Sequence, residues 1–404
     1  MTLPAIEYLE SPDGAEQLRA AAGLDLAGQA LLRELTRLGG MLGAERAGAV
    51  IEQTALRRRA MAKFSSAGEM LLTPEGLEQA SGEVVAAHSA ARYRGLTRVA
   101  DLCCGIGGDT LALAREARVE ACDLDPVRLA CAVHNVAIHG LSDRVNCHLA
   151  DVRTAGVLTS DRAPWRSSGA GNAEYVEAIF FDPSRRSDRR RIFSLDSYQP
   201  PVSLVERWLP SVPAIGVKVA PGVLHEEVTW DCEQEFVAEG PDLKEGLLWF
   251  GLLSSASRRA TVLPDGVTLV DGAAPEPAVG EPVAWLYDPS PAVTRAGIIW
   301  ELASLLGARQ VDPRLAYLTG PELVESSLAK PYAVESWMPF NLKRLKKYLR
   351  MLGVGRVEVH RRGAPIEPAE LERQLRQEGA GFRLVFVTRL RGRMVAIICA
   401  PPKA

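Results

Sequence analysis

Asp101 to Asp109 reads DLCCGIGGD, which sets two acids and three glycines in nine residues. Glycine lets the backbone bend sharply and lets a ligand approach with no Cβ in the way, although a plain strand-to-helix packing turn would use the same residues. Asp123 stands 18 residues after Gly105, where the next strand of a βαβ unit ends and a carboxylate can take both hydroxyls of a ribose. Asp151 closes a third apolar run on the same edge, in reach of an adenine amino group. A fourth run ends in FFDPSRR, Phe180 to Arg186, where Asp182-Pro183 could orient a polar group or merely cap the strand and open a turn. Arg185, Arg186, Arg189, Arg190 and Arg191 then put five guanidinium groups in seven residues, either a solvated face or a rim for phosphates.

The elements that must position these groups follow from periodicity. LTRVADLCCG, VEACDLD, RVNCHLADV, YVEAIFFDPS and IGVKVAPG read as short apolar strands, separated by the helical stretches GGDTLALAREA and PVRLACAVHNVAIHG and by the loop APWRSSGAGN. Such alternation predicts βαβ units and a parallel sheet. LLWFGLL supplies a late strand. Upstream, residues 15 to about 60 have helical spacing interrupted at Gly39-Gly40, and a second helix starts at Thr73-Pro74-Glu75, with Thr73 as N-cap, and runs to about Arg94. Val262 to Val283, rich in Pro, Gly and Ala, reads as a linker. Beyond it come a helix near 291–307 and then, in order, the helix NLKRLKKYLRMLG, the strand RVEVHRRG, the helix PAELERQLRQEG and the hairpin FRLVFVTRLRGRMVAIICA.

The motifs DLCCGIGGD, CDLDP and LADV resemble the first three motifs of class I S-adenosylmethionine-dependent methyltransferases. The resemblance implies a Rossmann-like α/β fold with a seven-stranded, mostly parallel sheet. It places Asp101 and the turn Gly105, Gly107 and Gly108 at the methionine end of the cofactor, Asp123 at the ribose and Asp151 at the adenine. A nicotinamide dinucleotide is the competing ligand, but the turn lacks GxGxxG spacing, and its acids suit a cationic sulfonium better than two phosphates. FFDPSRR resembles the DPPY or NPPY motif of amino-methyltransferases and the DPPW version of the cap-guanine N2 (trimethylguanosine synthase-like) enzymes. By that likeness Asp182 and the Pro183 carbonyl accept from an exocyclic amino group. Ser184 replaces the second proline, and Arg185 stands where an aromatic would stack on the base; a guanidinium can stack or clamp a phosphate instead. Thr73-Pro74 fits an element that closes over the cofactor carboxylate in such enzymes, and equally a plain helix cap. Lys218 either points at the active site from the fifth strand or is a strand-end surface lysine.

The chain has 404 residues, 47% hydrophobic and 24% charged, the composition of a globular protein of two or three domains at roughly 150 residues each. Its net charge of −3 hides a split: residues 331–404 hold 15 Lys and Arg against 6 Asp and Glu, so this end carries +9 and the preceding residues −12. A basic end on an acidic body suits a polyanion. Seven cysteines form no CxxC pair and six histidines no metal spacing, so neither a metal nor a disulfide framework is expected. The start MTLPAIEYLE is no secretory signal and no apolar run reaches membrane-spanning length, which makes the cytoplasm the default location.

The terminal module resembles the THUMP-like domain fused to methyltransferases of this kind, on Lys343, Arg344, Lys346, Lys347 and Arg350 along one helix, Arg361-Arg362, and Arg389, Arg391 and Arg393 across a turn. That likeness implies delivery of RNA. The expected division is an N-terminal helical region at 1–94, the methyltransferase domain at 95–258, a connecting segment at 259–325 and a small α+β RNA-binding domain at 326–404. The expected function is S-adenosylmethionine-dependent methylation of an exocyclic amino group, guanine N2 foremost, in rRNA or tRNA, with no obligate protein partner. The alternatives are a non-catalytic RNA-binding protein on the same scaffold and a methyltransferase for a protein side-chain amide or a small molecule.

Overall fold

From Arg98 onward the alternation of apolar runs and helices folds, in the computed structural model, as its spacing predicts. The structure describes residues 1–154, 176–185 and 195–401. Two units divide the chain: residues 1–233 with 245–255, and residues 234–244 with 256–404.

In the first unit β1 (Arg98–Leu102), β2 (Arg118–Asp123), β3 (Val145–Leu149), β4 (Ala178–Phe181) and β5 (Ala214–Val219) run parallel. After β6 (Glu233–Glu239), β7 (Asp242–Gly251) lies antiparallel to β5, and the order within this unit is β7-β5-β4-β1-β2-β3. Register aligns Leu102 with Cys122 on one side and with Phe181 on the other, so the carboxyl ends of β1, β2 and β4 finish together. The Rossmann-like α/β class expected from sequence is the one observed.

Six α-helices precede the sheet, the first four being α1 (Leu3–Glu10), α2 (Pro12–Ala21), α3 (Gly28–Leu42) and α4 (Ala44–Ala60). The break between α3 and α4 falls at Gly43, whose φ of +83° suits glycine, and Gly39-Gly40 stay inside α3. The helix expected over 73–94 is two, α5 (Pro74–Gln79) and α6 (Glu83–Ala90), parted at Ser81-Gly82. Crossovers α7 (Gly108–Glu116) and α8 (Pro126–Ile138) start at the predicted turns; Asp125 caps α8 by accepting from Val127 N and Arg128 N, and Pro126 opens it. One face of the sheet buries Leu102, Phe181 and Val217 with Trp208 of α9 (Val205–Trp208), the Phe181 and Trp208 rings meeting edge-on at 5.0 Å. Elsewhere in this unit Tyr93 packs on Phe180 and Trp249 and donates to Ile179 O at 2.7 Å.

The second unit contains β8 (Arg258–Leu263), antiparallel to β9 (Val267–Val270), and β9 lies inside the stretch read from sequence as a linker, which β8 enters only at its last two residues. Its other sheet comprises β10 (Trp285–Pro289), β11 (Arg309–Gln310), β12 (Leu318–Gly320), β13 (Ala329–Pro339), β14 (Val354–Arg361), β15 (Gly381–Leu390) and β16 (Arg393–Cys399), ordered β11-β12-β10-β13-β16-β15-β14. Helices α10 (Pro291–Ala296), α11 (Ile299–Leu306), α12 (Leu342–Met351) and α13 (Pro368–Leu375) complete it. The helix, strand, helix, hairpin order at the end of the chain is as read, the hairpin turning at Arg391-Gly392 with φ of 48° and 79°. No helix among the described residues is long and apolar enough to cross a membrane.

Gly216 of β5 leaves no room for a side chain, because a Cβ there would overlap the Tyr93 hydroxyl and the Trp249 ring. Gly216→Ala should therefore cost about 1–3 kcal/mol of stability, read as a lowered denaturant midpoint at unchanged slope.

Candidate active site

The turn after β1 leaves the sheet through left-handed backbone, with φ of 67° at Cys103, 58° at Gly105 and 87° at Gly107. At Gly107 a Cβ would crowd Ala132, whereas at Gly105 it would meet open space, so that stretch of backbone can be approached. Asp123 ties this turn to the end of β2: its carboxylate accepts from Gly105 N at 2.9 Å and from Asp125 N at 2.8 Å. Gly108 opens α7 against Ala80 and Phe64.

Behind the turn lies a group of buried charges. Asp101 is fully buried; its Oδ2 accepts from the Thr110 hydroxyl while Oδ1 has no partner, and burial pushes its carboxyl up to about 8. Lys218, from β5, places Nζ 3.1 Å from Asp109 Oδ2 and 2.7 Å from Asp182 Oδ2. Burial alone would lower the Lys218 ammonium's affinity for its proton, but Asp109, Asp182 and Glu245 hold it well above the usual lysine range. Glu245 of β7 accepts from Ser81 Oγ at 2.9 Å and Ser89 Oγ at 3.0 Å, and burial pushes it up to about 7. Among the described residues no set of His, Cys, Asp or Glu is arranged to hold a metal ion.

A third group of hydrogen bonds brings the segment before α5 onto the turn. Asn135, fully buried on α8, accepts from Leu71 N at 2.9 Å and donates to Leu71 O at 3.0 Å and to Ile106 O at 2.8 Å. Gln53 of α4 brackets Leu72 in the same way, accepting from its N and donating to its O. Each amide side chain stands in for a neighbouring strand. Thr73 is thus held beside the turn, where its hydroxyl caps α5 by accepting from Gly76 N at 3.0 Å, and Gly76 leaves room for Ile106.

Asp101, Gly105, Gly107, Gly108, Asp123, Asp182 and Thr73 are therefore gathered in one unit as the sequence suggested, and Lys218 points inward. Asp151 differs: it lies past the end of β3, and Arg153 clamps both its oxygens, at 2.6 Å to Oδ2, which lowers its carboxyl below the usual range. After Asp182-Pro183, Ser184 and Arg185 pair antiparallel with Tyr198 and Gln199, and the Ser184 hydroxyl donates to Gln199 O at 3.1 Å. Arg186, Arg189 and Arg190 lie outside the described residues. On α12, Lys343 and Lys347 are exposed, but Lys346 donates to Gln374 O at 3.0 Å. Sequence reasoning passed over Gln53, Asn135 and Glu245. The signal available for Lys218 was a lone lysine in AIGVKV, a strand buried at every position.

A parallel sheet whose β1 ends in a glycine turn and whose β2 ends in a turn-binding acid is the architecture of nucleoside-cofactor enzymes that bind at the carboxyl ends of their strands. Residues 96–185 match a family model described as RNA cap guanine-N2 methyltransferase, 329–401 one described as THUMP domain-like, and 2–60 a domain of unknown function. Two Mycobacterium tuberculosis proteins, from strains CDC 1551 / Oshkosh and ATCC 25618 / H37Rv, are each 33% identical over 380 residues, spanning 89% of this chain and 98% of theirs; both are named uncharacterized S-adenosylmethionine-dependent methyltransferases. A crystal structure from Porphyromonas gingivalis W83, provisionally described as a methyltransferase, shares the fold with a TM-score of 0.74 at 19% identity, over 99% of this chain and 98% of that one. The chain belongs to the S-adenosylmethionine-dependent methyltransferases, and S-adenosylmethionine is its cofactor. The residues fit that group: a buried carboxylate oxygen without a partner suits an ammonium, and the open space at Gly105 suits a ligand lying on the backbone.

A carboxyl raised from 3.8 to about 8 by burial favours the fold most where it is protonated, so its contribution is full below pH 3.8 and is lost as the pH rises toward about 8. Asp101→Asn keeps an acceptor for Thr110 and removes the charge. Urea titrations of the cofactor-free protein should show that this variant loses less stability than wild type across that pH range.

Proposed function

We propose that this enzyme methylates an exocyclic amino group of structured RNA, with guanine N2 as the favoured acceptor. The observation that carries the reading is Asp182-Pro183 at the end of β4, level with the turn of β1 and held by Lys218. S-adenosylmethionine, when bound, supplies an electrophilic methyl on a sulfonium. Asp101 Oδ1, Thr73 and the Gly105 to Gly108 turn would hold the methionine end, Asp123 the ribose, and Asp151 the adenine once Arg153 lets go of it. Asp182 and the Pro183 carbonyl would accept from the amino group and aim its lone pair; positioning supplies most of the rate in such a transfer. Arg185, with Arg186, Arg189 and Arg190, would stack on the base or take neighbouring phosphates. The match of 96–185 to a cap guanine-N2 model supports amino chemistry, and the THUMP domain-like match supports RNA.

The division of labour we infer is transfer by 95–258 and RNA capture by 326–404, with the preceding segment 259–325 contributing as well. Within the second unit, Arg314, Arg389 and Arg391 line a concavity of about 650 Å³ with Asp312, whose carboxylate accepts from Arg314 N and Gly392 N. Arg389 is fixed there by donating to Gly363 O at 2.9 Å and Gly392 O at 2.8 Å. These guanidinium groups, with Lys343 and Lys347, form the phosphate-facing surface in this reading. Residue 331 lies inside β13, so point substitutions test this surface better than removal of 331–404.

Calorimetry should show S-adenosylmethionine binding that Asp123→Ala weakens about tenfold or more. Arg314→Ala with Arg391→Ala should leave that binding unchanged, weaken RNA binding, and flatten its salt dependence by about one unit of log–log slope for each phosphate the variant no longer neutralises. Methyl transfer to a protein extract but not to RNA would contradict the substrate.

A further inference from the structure

The charges gathered at the ends of β1, β4 and β5, buried except for the half-buried Asp182, do not balance. Asp182 is faced by Asp101 from β1, Asp123 from β2, Asp109 from α7 and Lys218 from β5, while Glu245 of β7 acts on Lys218. The Cys103 thiol nearby is pushed well up and stays neutral. A carboxyl half-buried among so many acids tends to hold its proton, and that partial burial together with Asp109 and Asp123 pushes Asp182 up. A protonated carboxyl would present an O–H where an acceptor of N–H is needed. Lys218 opposes this by donating directly to Asp182 Oδ2 at 2.7 Å, and Asp109 fixes the ammonium from a second direction at 3.1 Å.

On the reading of Asp182 as the amino-group acceptor, we propose that Lys218 is a positioning residue, anchored by Asp109, that keeps Asp182 ionised and turned toward the acceptor nitrogen. The nitrogen forms its C–N bond as the C–S bond breaks, whose electron pair stays on sulfur. The extra proton on the methylated nitrogen then passes to Asp182 and on to water. Lys218 remains an ammonium throughout and relays no proton, since its neighbours hold it firmly charged. Asp109 serves Lys218 and touches no substrate.

The test uses the full chain with S-adenosylmethionine and unmodified RNA, comparing wild type with Lys218→Met, Lys218→Arg and Asp109→Asn between about pH 6 and pH 9. Loss of the cation raises the Asp182 carboxyl, so activity that needs the carboxylate is lost at low pH and recovered as pH rises. Lys218→Met should lower kcat about tenfold or more at neutral pH, move the acid limb of the kcat profile up by about one pH unit or more, and leave cofactor affinity within about twofold. Lys218→Arg should keep the limb near its wild-type position, and Asp109→Asn should give a smaller shift in the same direction as Lys218→Met. A uniform loss at every pH, or an unmoved limb, would overturn the proposal. Carbon-13 NMR titration of Asp182 in wild type and Lys218→Met reads the same effect without any acceptor. A carboxyl midpoint that does not rise in the variant refutes the role of Lys218, whereas absence of transfer to RNA by wild type refutes the substrate and leaves this titration standing. If Lys218→Met does not fold, Lys218→Gln takes its place in both measurements.

Discussion

Carboxylates crowded into the interior at the carboxyl ends of a parallel sheet are the constraint on which the first unit turns. Asp101, Asp123 and Asp182 end or follow β1, β2 and β4, and Asp109 and Glu245 press in from α7 and β7. Water would screen such charges; burial makes them costly unless something compensates. Three different compensations are present. Backbone N–H groups of Gly105 and Asp125 donate to Asp123, hydroxyls of Thr110, Ser81 and Ser89 serve Asp101 and Glu245, and one buried ammonium serves Asp109 and Asp182. What is left over is a partnerless oxygen on Asp101, in a protein whose cofactor carries both an ammonium and a sulfonium. The acidic body of the chain is thus matched to its ligand, and the basic end is free for a partner of opposite sign.

Compensation on this scale needs walls, which explains why helices precede the sheet. Gln53 and Asn135 capture residues 71 and 72 with side-chain amides, so that backbone donors and acceptors with no strand beside them are satisfied. The result is the placement of Gly76 against Ile106, with Thr73 capping α5. Gln53 of α4 thus supports the segment that carries Thr73.

Much of this was legible in the sequence where the physics is local. Glycine spacing, the acid 18 residues on, and apolar runs of strand length specify the turn, the ends of β1, β2 and β4 and the order of the terminal helices and strands. What was not legible depends on partners far apart along the chain. An asparagine in PVRLACAVHNVAIHG looks like a helix residue of indifferent propensity until Leu71 lies beside it. Lys218 is ambiguous until Asp109 and Asp182, each remote in sequence, converge on it. Strand β13 is hard to read because Pro331 lies within it, Pro339 ends it and most of its residues are half-buried, which blurs the alternation that marks a strand. The helix over 73–94 was read as continuous since Ser81-Gly82 breaks it for a tertiary reason, the bond from Ser81 to Glu245.

We propose above all that the Asp182 site acts on an amino group of RNA. It is tested most directly by mass spectrometry of nucleosides from total RNA of a strain lacking the gene beside its parent. The account expects one base methylated on an exocyclic nitrogen to disappear in the deletion strain and to return with the wild-type gene but not with Asp182→Ala. An unchanged set of methylated nucleosides would contradict it.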